Sequence, residues 1–163
     1  MRNIPGVIVL LTLSLAVSIA PASAQVPGTN GKIAFMSSRN GNSDIYSIEG
    51  DGSNETRLTS DPAEDYTPTF SPLATKIAFV SGRSGSDEIY EMSADGSNVT
   101  RLTTGSQFSN GLAYSPDGSK IAYGGRAGIY VMNSDGSSNV RVQAGRGLGY
   151  PSFSPDGRKI VYQ

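Results

Sequence analysis

From residue 31 onward, short runs of aromatic and β-branched residues alternate with turns rich in proline, aspartate and glycine. The clearest unit is Tyr114–Tyr123, built around a Ser-Pro-Asp-Gly-Ser turn, and it recurs as Phe153–Tyr162. In such a turn proline fixes the first φ angle, aspartate bonds nearby backbone and glycine adopts a positive φ. Phe70–Phe79 is a degraded copy. Because aromatic and β-branched residues flank each turn, every copy predicts a strand, a tight turn and a second strand.

These units belong to a longer repeat. A recurring Lys-Ile-Ala-Phe motif places Ile33, Ile77, Ile121 and Ile160 at spacings of 44, 44 and 39 residues. Four short strands per period, with no helical hydrophobic period after the N-terminal leader, predict an all-β propeller of four-stranded antiparallel blades and exclude helical repeat arrays. In each repeat the three strands predicted from the Lys-Ile-Ala-Phe motif onward are Lys32–Met36, Asp44–Ile48 and Glu55–Thr59; Lys76–Val80, Asp87–Met92 and Val99–Thr103; and Lys120–Tyr123, Gly128–Met132 and Asn139–Val142.

Residues 1–24 have the pattern of a cleavable signal peptide. Arg2 gives a positive start, Val7–Val17 forms an apolar core, and Ala22–Ala24 supplies a small-x-small cleavage pattern. An uncleaved membrane anchor is the alternative, although the apolar run is short for a bilayer span of about 20 residues. Cleavage before Gln25 predicts a periplasmic or secreted protein with no membrane insertion, residues 25–30 as a linker and residues 31–163 as propeller repeats.

Charge and composition exclude several function classes. The 163 residues include 13 Lys and Arg, 14 Asp and Glu, and neither His nor Cys. Removing Arg2 with the leader leaves 12 basic and 14 acidic residues, a balance that argues against nucleic acid as a partner. Without His or Cys the chain can form no Ser-His-Asp triad, no Cys-His pair and no metal site with His or thiolate ligands. We therefore predict that the protein is not an enzyme and has no cofactor.

A loop with three acids, Asp61, Glu64 and Asp65, keeps two other chemistries open. A pair of carboxylates can hydrolyse glycosides, and carboxylates at a channel mouth can bind calcium, although a solvated loop is the commoner explanation. The Asp-Gly pairs at 51–52, 95–96 and 135–136 lack the alternating acids of a calcium loop. We expect them to form hairpin turns similar to type I′.

Taken together, the motifs Phe-Ser-Pro-Asp-Gly-x-Lys-Ile-Ala-Phe, Arg-x-Gly, Asp-Ile-Tyr and Asp-Gly-Ser-Asn-x-Thr-Arg-Leu-Thr resemble the TolB-type propeller repeat over residues 31–163. The resemblance implies innermost strands at Thr67–Ser71, Gly111–Ser115 and Tyr150–Ser154. Two blades would be complete and two partial, so that about three to four blades of an incomplete ring are present. Ring closure would need either a longer propeller, often six-bladed in this family, or self-association of chains that end at residue 163.

The resemblance also implies where a partner binds. Connections from an outer strand to the next inner strand surround one mouth of a propeller channel, and here residues 60–66, 104–110 and 144–149 are such connections. Their chemistry differs from blade to blade, as expected of a binding site grafted onto a repeat, while ordinary mobile loops are the alternative. We predict that a protein or peptide, an envelope protein in the TolB case, contacts Asp61, Glu64, Asp65, Tyr66, Gln107, Phe108, Asn110, Arg146 and Tyr150.

Three roles are open for such a propeller. The first is a non-catalytic binding module. The second is the gating propeller of a serine peptidase similar to the prolyl oligopeptidase group, with a catalytic domain outside this chain. The third is a degenerate fragment without a stable fold. TolB itself binds the peptidoglycan-associated lipoprotein in the periplasm and has an α/β domain ahead of its propeller. No such domain precedes these repeats, so the resemblance implies a binding role rather than a specific place in the Tol-Pal system.

Repeated charged and aromatic residues have a structural interpretation. Arg39, Arg83 and Arg126 recur at one position, and Asp44 and Asp87 follow the first two. Anion recognition is the functional alternative, but we expect each arginine to bond the following aspartate and close the loop between them. One aromatic residue per blade at two further positions predicts packing between blades; these residues are Tyr46, Tyr90, Tyr130, Phe70, Tyr114 and Phe153.

Overall fold

A computed structural model describes residues 31–105 and 108–163, which form short antiparallel strands. The predicted signal peptide and linker lie outside the described residues. Within the described ranges, no helix is long and apolar enough to cross a membrane. The strands are β1 (Ile33–Ser37), β2 (Asp44–Ile48), β3 (Thr56–Arg57), β4 (Asp65–Phe70), β5 (Lys76–Ser81), β6 (Glu88–Ser93), β7 (Thr100–Arg101), β8 (Phe108–Tyr114), β9 (Lys120–Gly125), β10 (Gly128–Asn133), β11 (Val140–Ala144), β12 (Ser152–Phe153) and β13 (Ile160–Val161).

The strands form four separate antiparallel sheets, which correspond to four blades. Blade 2 has the order β4-β5-β6-β7, and blade 3 has the order β8-β9-β10-β11. Blade 1 contains β1-β2-β3 and blade 4 contains β12-β13. The structure thus confirms the predicted incomplete propeller, with two complete blades and two partial ones.

Apolar side chains fill the spaces between neighbouring blades. Between blades 1 and 2, Ile45 packs in one cluster with Ile77 and Phe79, and all three are completely buried. Between blades 2 and 3, Ile89 packs with Tyr123 in a second cluster, which also includes buried Phe108. Because burying one such side chain stabilises a fold by about 1.5–3 kcal/mol, these clusters hold successive blades together.

The same aromatic pair recurs in the first three blades, where one ring of the second strand lies directly opposite a ring of the third. The ring centroids are 5.3–5.9 Å apart in each pair. The pairs are Phe35 with Tyr46, Phe79 with Tyr90, and Tyr123 with Tyr130. Each pair lies within one blade. The predicted packing between blades is found for Tyr90 and Phe70 in the cluster between blades 1 and 2, and for Tyr114 and Tyr130 in the cluster between blades 2 and 3.

The Asp-Gly hairpins differ from the predicted geometry. The Gly52 N–H donates to Glu49 O at 2.9 Å, and the Glu49 N–H donates to Ser53 O at 2.9 Å, which closes a three-residue loop. Among the residues of this loop only Gly52 has a positive φ, +85°, whereas a type I′ turn needs two. The prediction of type I′-like turns is therefore wrong, and a type I turn followed by a left-handed glycine forms instead. Residues 93–97 and 133–137 repeat the same bonds.

Candidate functional site

The predicted binding residues lie on the face of the blades that we call the loop face. It is formed by the connections from each fourth strand to the next inner strand, together with the connections from each second strand to the third. Strand alternation brings both sets of connections to the same end of the blades. On this face Asp61 and Glu64 precede β4, Asp65 and Tyr66 begin β4, Phe108 and Asn110 belong to β8, and Arg146 and Tyr150 lie between β11 and β12, while Gln107 is outside the described residues.

The three acids of this face are bonded to the chain itself. Asp65 is completely buried, and both of its carboxylate oxygens accept hydrogen bonds from Arg83 Nη2, at 3.0 and 2.9 Å. Glu64 accepts from the Ser43 N–H at 3.0 Å, and the Ser43 hydroxyl, followed by this N–H, lowers the pKa of the Glu64 carboxyl. Asp61 caps its own loop by accepting from the Ala63 N–H at 2.9 Å. Within the described ranges, no group of three or more acidic side chains is arranged to hold a metal ion.

Arg39 and Arg83 occupy equivalent positions and pack in the same way. The Arg83 guanidinium carbon lies 5.4 Å from the Phe79 ring centroid and 5.1 Å from that of Tyr90. Arg39 lies over the equivalent rings of blade 1, and each arginine donates from Nε to a serine hydroxyl two residues earlier. The anionic partners differ, because Arg39 bonds Glu55 and Arg83 bonds Asp65.

The predicted pairing of these arginines with Asp44 and Asp87 is wrong. Asp44 is buried at the start of β2, where it accepts from Arg57 Nη2 at 2.5 Å. Its equivalent in blade 2 is Glu88, which begins β6, rather than Asp87 one residue earlier. Asp87 is exposed and accepts a hydrogen bond from the Tyr66 hydroxyl. The loops between second and third strands are therefore held by ion pairs of Arg39 and Arg83 with Glu55 and Asp65, not by pairs with the aspartates that follow the loops.

A cleft opens on the loop face between blades 2 and 3. It encloses about 410 Å³ and is lined by Gly82, Gly85, Ser86, Asp87, Phe108 and Arg126. Phe108 is 6% exposed and meets the ring of Tyr66 edge-on, with centroids 6.3 Å apart. Burial and the bond to Asp87 raise the pKa of the Tyr66 hydroxyl, so it stays a neutral donor. The cleft thus has a mostly polar lining, with one nearly buried aromatic ring, an exposed carboxylate and an exposed guanidinium.

The sequence interpretation included Tyr66 and Phe108 but missed Ser86, Asp87 and Arg126. These three residues belong to connections between second and third strands, for which the sequence favours closed loops and leaves anion recognition by the arginines as the alternative. Strand alternation was the available signal, because it places those connections on the same face as the predicted loops.

The inner strands share a bulge beside the predicted site. Thr67, Gly111 and Tyr150 are equivalent in successive blades, and their φ angles are +49°, +65° and +50°. The register of β4 and β8 shifts at this point. Among the residues that the structure describes, the Thr67 hydroxyl oxygen and Asn110 Oδ1 are both buried here without a hydrogen-bond partner. Only glycine is expected at such a φ, so sequence reasoning missed this backbone feature.

Comparisons with known proteins agree with this architecture. The profile of the TolB beta propeller domain family matches residues 13–163. The chain belongs to the TolB β-propeller domain family. No curated protein matches it.

Solved structures show the same fold. TolB from Acinetobacter baumannii is 21% identical with a TM-score of 0.70, and the match covers 85% of this chain and 37% of that one. A putative TolB from Agrobacterium tumefaciens is 28% identical with a TM-score of 0.68, covering 81% and 55%. A gluconolactonase from Xanthomonas campestris is 17% identical with a TM-score of 0.67, covering 83% and 51%. The chain therefore spans about a third to a half of the length of these solved proteins, and it shares its fold with an enzyme.

Proposed function

We propose that this chain is a non-catalytic β-propeller binding module that takes a segment of a partner protein in the cleft between blades 2 and 3. The single observation that carries the proposal is this cleft, which lies on the predicted face and combines a mostly polar lining with separate positive and negative groups. Polar groups that converge on a cleft fix the orientation of a ligand and provide its specificity.

The positive group of the cleft is available to a ligand. In blade 2, Arg83 has the carboxylate of Asp65 as its partner. The positions equivalent to Asp61 and Asp65 in blade 3 are Gly105 and Ser109, so the sequence supplies no acid there. Within residues 31–105 and 108–163 Arg126 makes no ion pair. A partner can therefore bond this guanidinium without displacing an internal carboxylate.

The proposal extends to location and chemistry. The leader at residues 1–24 and the family relationship to TolB support a periplasmic or secreted protein. A binding role rather than catalysis is supported by the absence of His and Cys from the sequence and by the internal bonds of Asp61, Glu64 and Asp65. The gluconolactonase similarity is one of fold alone at 17% identity, and we propose no cofactor.

Selection from a displayed peptide library against the full chain tests this function. Ser86→Trp places a large side chain in the cleft, whereas Thr100→Trp adds the same side chain to exposed β7 at the outer rim. We expect selected peptides to lose about tenfold in affinity or more on Ser86→Trp and little on Thr100→Trp. Failure to enrich any peptide, or equal binding to both variants, would contradict the proposal.

A further inference from the structure

The opposite end of the blades carries a second cavity. We call this end the turn face, because it is formed by the turns that join first to second strands and third to fourth strands. The cavity lies between blades 2 and 3 and encloses about 340 Å³. Pro72 and Leu73 of one turn line it together with Pro116 of the next, and Lys76, Glu91 and Tyr114 also contribute. It is separated from the loop-face cleft by the length of the strands.

Three residues that line this cavity differ in type from their equivalents in the other blades. The turn of blade 2 has leucine where its counterparts have aspartate, β6 has glutamate where the equivalent strands have serine or valine, and β8 has tyrosine where the other inner strands have phenylalanine. These differences are Leu73 against Asp117 and Asp156, Glu91 against Ser47 and Val131, and Tyr114 against Phe70 and Phe153. Variation concentrated at one place in a regular repeat is typical of a binding site.

The polar groups of the cavity form a fixed cluster across the blade boundary. The Tyr114 hydroxyl of blade 3 donates to Glu91 Oε1 of blade 2 at 2.7 Å, and Lys76 Nζ donates to Glu91 Oε2 at 2.5 Å. Glu91 is 9% exposed, and its carboxylate uses two of about four acceptor sites. Burial and the bond to Glu91 raise the pKa of the Tyr114 hydroxyl, so the phenol remains protonated. The cluster can therefore accept hydrogen bonds from a ligand.

The rim of the cavity is apolar and anionic. Leu73 is 76% exposed beside Pro72, although it is a large apolar side chain at a turn where its counterparts are aspartate. Asp117 lines the same cavity and carries a charge at neutral pH, so Lys76, Glu91 and Asp117 sum to a net charge of −1. An adjoining cavity of about 400 Å³ shares Pro116 and Asp117 and adds the carboxylate of Asp156 and the ammonium of Lys120, so the net charge of the combined lining stays at −1. The two cavities form a continuous surface longer than one side chain.

We propose that the turn face binds an extended peptide that places a basic side chain near Glu91 and Asp117 and an apolar side chain against Leu73. Charge complementarity selects the basic residue, because the lining is negative and its buried carboxylate has unused acceptor sites. The exposed Leu73, which lines the cavity together with Pro72 and Pro116, selects the apolar residue next to the basic one in the peptide. This site is independent of the loop-face cleft and of the function proposed for it.

Titration of the full ¹⁵N-labelled chain with acetyl-Leu-Arg-Leu-amide tests the proposal by NMR. We expect saturable shifts of the Thr75, Gly118 and Ser134 amide signals, with little change at Gly85 and Ser86 of the loop face. Acetyl-Leu-Gln-Leu-amide is the matched neutral probe and should bind about tenfold more weakly. No saturable shift at the turn face, shifts confined to the loop face, or equal binding of both peptides would overturn the proposal.

Two variants separate the apolar and the charged contributions. Leu73→Asn keeps a residue suited to the turn but removes the apolar side chain, and we expect about tenfold weaker binding. Glu91→Gln keeps the shape of the side chain and should abolish the preference for the arginine peptide. Val140→Asn removes another exposed apolar residue, from the outer strand of blade 3, and should leave binding unchanged. Wild-type affinity in Leu73→Asn and Glu91→Gln would also overturn the proposal.

Discussion

Arg83 and Arg39 show how one repeated residue can differ in its energetic role. Both lie over an aromatic pair, but the Arg83 side chain is 20% exposed and its partner Asp65 is fully buried. The Arg39 side chain is 46% exposed and its partner Glu55 is 37% exposed. Solvent screens the exposed pair, whereas the buried pair neutralises a carboxylate that water cannot reach.

We therefore expect Arg83→Ala to lower the free energy of unfolding by about 3–5 kcal/mol, because it leaves the Asp65 charge buried and unpaired. Arg39→Ala is the matched control and should cost about 1 kcal/mol. Urea denaturation of the full-length variants measures both values. Equal losses in the two variants would show that the aromatic packing, rather than the buried ion pair, dominates.

Gly111 is the residue for which the inner-strand bulge is most restrictive. Its φ is +65°, and a Cβ atom built there would lie 2.6 Å from the Cα of Tyr150 in blade 4. Gly147 has a similar φ of +76°, but a Cβ atom there would meet nothing within 4 Å. The two glycines therefore share the backbone requirement and differ in the close approach of another blade.

Gly111→Ala should destabilise the protein by about 3 kcal/mol or more, because overpacking against backbone adds to the cost of a positive φ. Gly147→Ala should cost about 1 kcal/mol, from the φ angle alone. Thermal and urea unfolding of both variants test the difference. If Gly111→Ala is as stable as Gly147→Ala, blades 3 and 4 do not approach each other as closely as the structure shows.

At the scale of the element, the Pro-Asp-Gly turn was predictable because its chemistry is local. The Gly118 N–H donates to Ser115 O at 2.8 Å and the Ser115 N–H donates to Lys120 O at 2.9 Å, as expected between two strands. The hairpin type after the third strand was not predictable from the Asp-Gly pair alone. That pair suits several turns, and the residue count between the paired strands decides which one forms.

The aspartates of these turns should make stability depend on acid pH. Hydrogen bonds from the Ser115 hydroxyl, then the Ser119 N–H and hydroxyl, lower the pKa of Asp117 from 3.8 to about 2. Since the folded-state pKa is the lower one, the contribution is complete above pH 3.8 and disappears as the pH falls through about 2. The pKa values of Asp51, Asp95, Asp135 and Asp156 are lowered in the same way.

Melting temperatures of the full chain and of Asp117→Asn, measured from about pH 5 to about pH 2, test this linkage. We expect the difference between the two proteins to shrink as the pH falls through that window, because protonation removes the advantage of the carboxylate. A difference that stays constant with pH would show that Asp117 stabilises the turn by geometry rather than by its charge.

At the scale of the whole molecule, the 44-residue spacing predicted the blades, and the resemblance to the TolB-type repeat implied their strand order and the incomplete ring. The spacing did not predict the partners of the charged residues, because Arg83 bonds Asp65 of the inner strand β4 and Asp44 bonds Arg57 of the outer strand β3. Proximity along the sequence favoured pairing each arginine with the aspartate a few residues after it. The loop-face cleft was predicted only in part for the same reason, since its residues come from two blades and three connections.

The four blades also differ in how completely their strands are paired. In blades 2 and 3, β5 and β9 have hydrogen-bonded neighbours on both sides, while β1 and β13 have one neighbour each among the described strands. Exposure follows the same trend, because Ile33 of β1 is 54% exposed and its equivalents Ile77 and Ile121 are fully buried. The central blades should therefore open only with the whole molecule, and the terminal strands should open locally.

Native-state hydrogen exchange of the full chain, followed by NMR, measures this gradient. We expect β5 and β9 amides to exchange slowest, at rates set by global unfolding, and β1 and β13 amides to exchange through smaller openings whose free energies are well below that limit. Uniform protection would contradict this expectation. Protection of β1 that rises with protein concentration would mean that another copy of the chain covers the edge, because intermolecular pairing depends on concentration and intramolecular pairing does not.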